Sequence, residues 1–121
     1  MTTVCAEWGQ SHHGNLNTAL LQVEATAQAG ADICKFQVFD PKRLASKDAR
    51  RYWARSLGGD DSQLATFTDN GMLTTDDWIK VAAHCERKGV LFCATPFDLE
   101  AVDLLAALGV TTIKLASGDI S

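Results

Sequence analysis

The chain has 121 residues, enough for one domain with a modest core. Hydrophobic residues make up 46%, a globular composition, and a net charge of −4 argues against a nucleic-acid binder. No apolar run is long enough to span a bilayer, and the N-terminus lacks the basic-then-apolar layout of a signal peptide, so cytoplasm is the expected location.

The first element is a short strand, Val4-Cys5-Ala6-Glu7-Trp8, ended by Gly9. Asn15 can cap a helix whose apolar face is Leu16, Ala19, Leu20, Val23 and Ala27, with Gly30 as its stop. Ile33 to Phe39 reads as strand 2, closed by Asp40-Pro41. Residues 42 to 73 show no clean period: a helical piece over Leu44 to Ser56 and a long loop, 56–73, are expected. Thr74-x-x-Asp77 resembles a capping box for a helix carrying Trp78, Val81, Ala82 and Cys85 and stopping at Gly89. Val90 to Thr95 is strand 3. Pro96 and Asp98 open a helix with Val102, Leu105 and Leu108 inside, stopped by Gly109, and Thr111 to Ala116 is strand 4. The order βαβαβαβ predicts an α/β fold with a parallel sheet and right-handed crossovers.

Two lysines interrupt these apolar strands. Gly30 lies five residues before Lys35, and Gly109 five residues before Lys114. If the two turns are alike, the lysines reach the same height in strands 2 and 4. Alternate strands of a (β/α)8 barrel fill one interior layer, so both would point at one spot, where two cations need an anion between them. Parity puts Lys35 and Gln37 on one face of strand 2 and Cys34, Phe36 and Val38 on the helix-facing side. Glu7, Thr95, Ser117 and Asp119 fall at or just beyond carboxyl ends of strands, where parallel α/β folds place their chemistry. These seven residues, Lys114 included, outline one rim. The lysines read as a phosphate or carboxylate clamp in preference to a Schiff-base lysine. Glu7 and Asp119 are either structural carboxylates or acid–base and hydroxyl-binding groups.

Other features carry weaker signals. The adjacent His12 and His13 are a poor metal pair, but a loop histidine above a strand-end pocket can serve as an acid or a substrate ligand. His84 reads as a surface residue. Cys5, Cys34, Cys85 and Cys93 make no zinc spacing and read as reduced, packed thiols. Lys42, Arg43, Lys47, Arg50, Arg51 and Arg55 crowd together; a solvated helix face is preferred over a basic lid.

Four motifs in this order resemble the sialic acid synthase (N-acetylneuraminate synthase) family. Ala6-Glu7-Trp8-Gly9-Gln10-Ser11-His12-His13-Gly14 resembles its AEIGxNHNG opening, with His12 and Gly14 matching in the last part. Lys35-Phe36-Gln37 resembles its KFQ strand, Ala94-Thr95-Pro96-Phe97-Asp98 its STPFD turn, and Lys114 to Asp119 its KIASGD strand end. Ala45-Ser46-Lys47-Asp48-Ala49 is similar to its loop after strand 2.

The resemblance implies the first half of a TIM (β/α)8 barrel, residues 1–121, with the later strands and a C-terminal antifreeze-like domain absent. It implies condensation of phosphoenolpyruvate with N-acetylmannosamine or a related N-acylated aminosugar, giving a nonulosonic acid and phosphate. Carried over by motif, Lys35, Thr95, Lys114 and Ser117 would hold phosphoenolpyruvate. Glu7 and Asp119 would be catalytic, and Gln37 and His12 would bind the sugar. A divalent metal, Mn2+ or Mg2+, would act as Lewis acid on histidines lying outside this chain. The complete enzyme would be a homodimer. Four strands of eight leave open edges, so a fragment of a longer protein is expected in preference to copies that pair their edges. Rival readings are an aldolase-type barrel with a Schiff-base lysine and an anion-binding remnant without catalysis.

Overall fold

Asn15, Thr74 and Asp98 each stop the preceding chain and start a helix, and a computed structural model, describing residues 1–45, 50, 62–69 and 71–120, shows how. The Asn15 side chain accepts from the Thr18 N–H at 3.1 Å and starts α1, Leu16–Gln28. Thr74 and Asp77 form the expected capping box of α4, Thr75–Lys88, which ends at Gly89 in the left-handed conformation. Asp98 accepts from Ala101 N–H at 2.8 Å and caps α5, Leu99–Ala107.

The strands are β1, Cys5–Gly9; β2, Ile33–Val38; and β3, Leu91–Pro96. They form one open parallel sheet in the order β1-β2-β3. Along β2 exposure alternates, and Cys34, Phe36 and Val38 are buried as parity predicts. Behind that face, Phe36 meets Trp78 edge to face and Phe92 at a tilt, and Trp78 stacks on Phe92, with ring centroids 5.7 to 6.2 Å apart. Val23, Val81 and Leu105 close the core from the helices.

Three of the expected elements differ. Strand 4 is not formed over Thr111–Ala116. One parallel bridge, Ala94 to Ile113, and a 3.0 Å hydrogen bond from Lys114 N–H to Ala94 O hold that segment beside β3. It has a ladder partner on one side, and its apolar Ile113 and Leu115 stay exposed, which is too little to fix a full strand. A four-residue helix, α2, Pro41–Leu44, with proline in the first turn, ends where the helical piece over Leu44 to Ser56 was expected to begin, and Ala45 is extended; residues 46–49 and 51–61 lie outside the described residues. The loop 56–73 contains a helix, α3, Gln63–Asp69, whose Phe67 ring packs against Phe39 at 5.8 Å.

Of the four thiols, Cys34, Cys85 and Cys93 are buried and Cys5 is exposed; all are free. Cys85 donates to Cys34, which also accepts from Thr26 Oγ1 at 3.4 Å. These bonds hold the Cys34 thiol below its ordinary range, while the same bond and burial push Cys85 up. His84 is not a free surface group. Its Nε2 meets Glu24 Oε1 at 3.2 Å and its Nδ1 meets Arg87 at 2.8 Å, so it ties α4 to α1.

Candidate active site

The sheet register assembles the site. Glu7, Lys35 and Cys93 occupy one row across β1, β2 and β3, and Gln37 and Thr95 form the next row on the same face. The Glu7 carboxylate forms an ion pair with the Lys35 ammonium. Lys35 is the more enclosed partner, with its side chain 16% exposed against 46% for Glu7. Thr95 is buried.

A bulge between Glu7 and Gly9 breaks the β1 register, and Gly9 takes φ +57° there. A bulge of this kind re-aims the residues that follow it. Trp8 is carried to the helix side, where its indole N–H donates to Thr26 Oγ1 at 2.8 Å. Gly9 lies beneath the Glu7 and Gln37 side chains; a Cβ there would sit 3.5 Å from Glu7 Oε1 and 3.7 Å from Gln37 Cδ. Above it opens a cavity of about 380 Å³ lined by Glu7, Trp8, Gly9, Gln10, Ser11, His13 and Gln37. Gln10 Nε2 donates to Gln37 Oε1 at 2.8 Å, which fixes the Gln37 amide and leaves its N–H side available.

The bridge at Ile113 places Lys114 next along from the Ala94 row, beside Thr95 and Gln37. Lys114 is therefore two rows beyond Lys35, on the same face by parity. A two-residue stagger between alternate strands is that of an eight-stranded barrel with shear eight. Ser117 and Asp119 follow in a single 3₁₀ turn, Ser117–Asp119, closed by Asp119 N–H on Ala116 O at 3.0 Å. Lys114, Ser117 and Asp119 are exposed, and among the described residues no ion pair joins them to Glu7 or Lys35.

His12 is placed elsewhere. Its ring is buried behind the sheet, 5.6 Å from Trp78 and 6.1 Å from Phe36, and does not line the cavity. Its Nδ1 accepts from Gly14 N–H at 3.0 Å, which closes the turn. Burial, with the nearby His13 charge adding to it, lowers its pKa to about 4. His12, expected at the sugar, is thus away from the cavity, whereas its neighbour His13 is exposed and lines it. Strand parity does not extend through a turn, which is why the sequence alone did not tell which histidine lines the cavity. Gln10 and Ser11 were missed for the same reason; the signal that could have found them is the Trp8-Gly9 break ahead of them.

Of the basic cluster, Arg43 is engaged rather than free. Its guanidinium meets Asp98 Oδ2 and Asp40 Oδ2, each at 3.1 Å, and so joins the turns after β2 and β3. Lys47, Arg51 and Arg55 lie outside the described residues. Among the described residues no group of three or more His, Cys, Asp or Glu side chains is arranged to hold a metal ion. Among the described residues no helix is long and apolar enough to cross a membrane.

An open parallel α/β unit with polar side chains gathered toward the strand carboxyl ends is the architecture of part of a TIM barrel. The NeuB family model matches residues 22–121, and the chain belongs to that family. It is 37% identical over 122 residues to the N,N'-diacetyllegionaminic acid synthase of Campylobacter jejuni, a match covering 99% of this chain and 36% of that protein. It is 30% identical to the N-acetylneuraminate-9-phosphate synthase of Drosophila melanogaster, covering 96% of this chain and 31% of that one. The crystal structure of N-acetylneuraminic acid synthetase from Leptospira borgpetersenii superposes with a TM-score of 0.78 at 27% identity, over 98% of this chain and 38% of that one. The chain thus spans about a third of the length of these relatives, which are synthases of nonulosonic acids.

Proposed function

We propose that this chain forms the first half of the barrel of a phosphoenolpyruvate-dependent nonulosonic acid synthase acting in the cytoplasm. The reading rests above all on one observation: in a NeuB-family chain, the Glu7–Lys35 pair and the Gln37–Thr95 row stack on one sheet face. Lys35 and Lys114 supply positive charge to the phosphate and carboxylate of phosphoenolpyruvate, and the Thr95 and Ser117 hydroxyls donate to the same oxygens. Gln37 offers its amide to the acceptor, N-acetylmannosamine or a related N-acylated aminosugar. Glu7 and Asp119 hold or accept protons as the new carbon–carbon bond forms, water adds at C2 and phosphate leaves. The complete enzyme works as a homodimer with a C-terminal antifreeze-like domain. A divalent metal, Mn2+ or Mg2+, held by residues outside this chain, supplies Lewis acidity to the acceptor aldehyde. Among the described residues no group of three or more His, Cys, Asp or Glu side chains is placed to hold it.

The test is calorimetric and chemical. The chain is titrated with phosphoenolpyruvate, and Lys35→Gln and Lys114→Gln are each expected to weaken binding about tenfold or more. Separately, the chain is treated with pyruvate and borohydride and its mass measured. A covalent adduct on Lys35 or Lys114 would replace the synthase reading with a Schiff-base barrel. Failure to bind phosphoenolpyruvate would remove it.

A further inference from the structure

We propose that His13 is a specificity-determining residue of the acceptor pocket, an inference that rests on the synthase reading. Three observations converge on it. First, His13 lines the same cavity as Glu7, Gln10, Ser11 and Gln37. That lining offers a carboxylate, two amides, a hydroxyl and an imidazole. Such a set suits a neutral, hydroxyl-rich ligand better than a second anion, because every member can exchange hydrogen bonds with hydroxyl groups.

Second, His13 is held in an unfavourable conformation. Its φ of +49° is the only positive value at a non-glycine position among the described residues. A side chain in this region costs about 1 kcal/mol or more and persists where the surroundings impose it. Here they do. His13 N–H donates to Gln10 O at 2.9 Å, and the His13–Gly14 backbone lies directly against Gly71. A Cβ on Gly71 would come within 2.7 Å of His13 O, and one on Gly14 within 3.0 Å of Met72 N. The glycine pair lets two backbones touch, and that contact fixes where the imidazole stands.

Third, the position departs from the motif it resembles. The AEIGxNHNG pattern has asparagine where this chain has His13. Asparagine and histidine both tolerate the left-handed region better than most residues. The exchange therefore keeps the backbone and changes the group presented to the acceptor. An imidazole reaches further than a carboxamide and offers one donor and one acceptor in its neutral form. His13 thereby reads a hydroxyl or acylamino group of the sugar opposite Glu7.

The test is NMR on the ring-labelled 121-residue chain saturated with phosphoenolpyruvate and titrated with N-acetylmannosamine. His84, engaged with Glu24 and Arg87, is the internal reference. The His13 ring signals are expected to move and those of His84 to stay. His13→Gly keeps the left-handed backbone without a side chain and should weaken sugar binding about tenfold. His13→Asn should recover part of it. A His13→Gly chain that binds the sugar within about twofold of the parent overturns the proposal. Phosphoenolpyruvate binding in the same samples would then leave the synthase reading standing. If the parent binds phosphoenolpyruvate and no sugar, the acceptor pocket is overturned. If it binds neither, the synthase reading falls with it.

Discussion

Glu7 on β1 and Lys35 on β2 stand opposite each other in register, carboxylate against ammonium, on the sheet face away from the helices. The pair keeps a cation poised under a carboxylate that an incoming anion must displace or share. Removing the carboxylate should therefore help the anion. Glu7→Gln is expected to tighten phosphoenolpyruvate binding about three- to tenfold at low salt, an effect shrinking as ionic strength rises. On the proposed role of Glu7 in proton transfer, the same variant should also lose condensation in the complete enzyme. Calorimetry at two salt concentrations checks the first part. Weaker binding by Glu7→Gln would mean that the carboxylate organises Lys35 rather than opposing the ligand.

His12 gives the fold a defined acid sensitivity. Buried between Phe36 and Trp78, its ring has a pKa lowered from 6.5 to about 4. Between these values the unfolded chain binds the extra proton and the folded chain does not. Stability is therefore full above about pH 6.5 and falls as pH drops toward 4, by roughly 3 kcal/mol in all. His12→Asn should remove this part of the slope and keep the turn, because an asparagine can also accept from the N–H two residues on. Urea unfolding of both chains from pH 7 to 4 makes the comparison. Equal slopes would show that His12 does not titrate in this window.

The signals that sequence carried well are local. The Asn15 cap, the Thr74–Asp77 box and the alternation of β2 each depend on residues within a few positions of one another. What it carried poorly depends on distant partners. A strand over Thr111–Ala116 needs neighbours on both sides to bury Ile113 and Leu115. Helix α3 has two threonines in seven residues and a weak pattern, and its Phe67 finds a partner, Phe39, far away in sequence. His12 and His13 are equivalent as letters. The bulge at Gly9 and the contact with Gly71 decide which of them meets the pocket. The rim residues of β1, β2 and β3 were legible because parity fixes their face. The Gln10 and Ser11 contributions were not, because a turn has no such period.

Helix α4 carries Trp78 beneath His12, so its start bears on the loop above it. Asp77 Oδ2 accepts from Thr74 N–H at 3.1 Å and from Thr74 Oγ1 at 2.8 Å, and these bonds hold the Asp77 carboxyl below its ordinary range. The box is intact above the unfolded Asp range and is lost as pH falls through the lowered value. Thr74→Ala is expected to cost about 1 kcal/mol in urea unfolding at pH 7. Asp77→Asn should reproduce part of that loss. No change in either would mean that packing of Trp78 alone fixes the helix start.

Gly71 and Gly89 offer a controlled comparison. Their φ values are +73° and +72°, so alanine meets the same backbone strain at both. Around Gly89 nothing lies within 4 Å of an added Cβ, whereas at Gly71 that atom would be 2.7 Å from His13 O and 2.9 Å from Gly14 Cα. Gly89→Ala should therefore cost about 1 kcal/mol, the left-handed penalty alone. Gly71→Ala should cost clearly more, on the order of 2–4 kcal/mol, because neither contacting atom belongs to a side chain that can swing away. It should also displace His13 from the pocket, which sugar titration of the folded variant would register as weaker binding with phosphoenolpyruvate affinity kept. Equal costs at the two glycines would show that the loop after β1 yields freely, and that Gly71 does not set the position of His13.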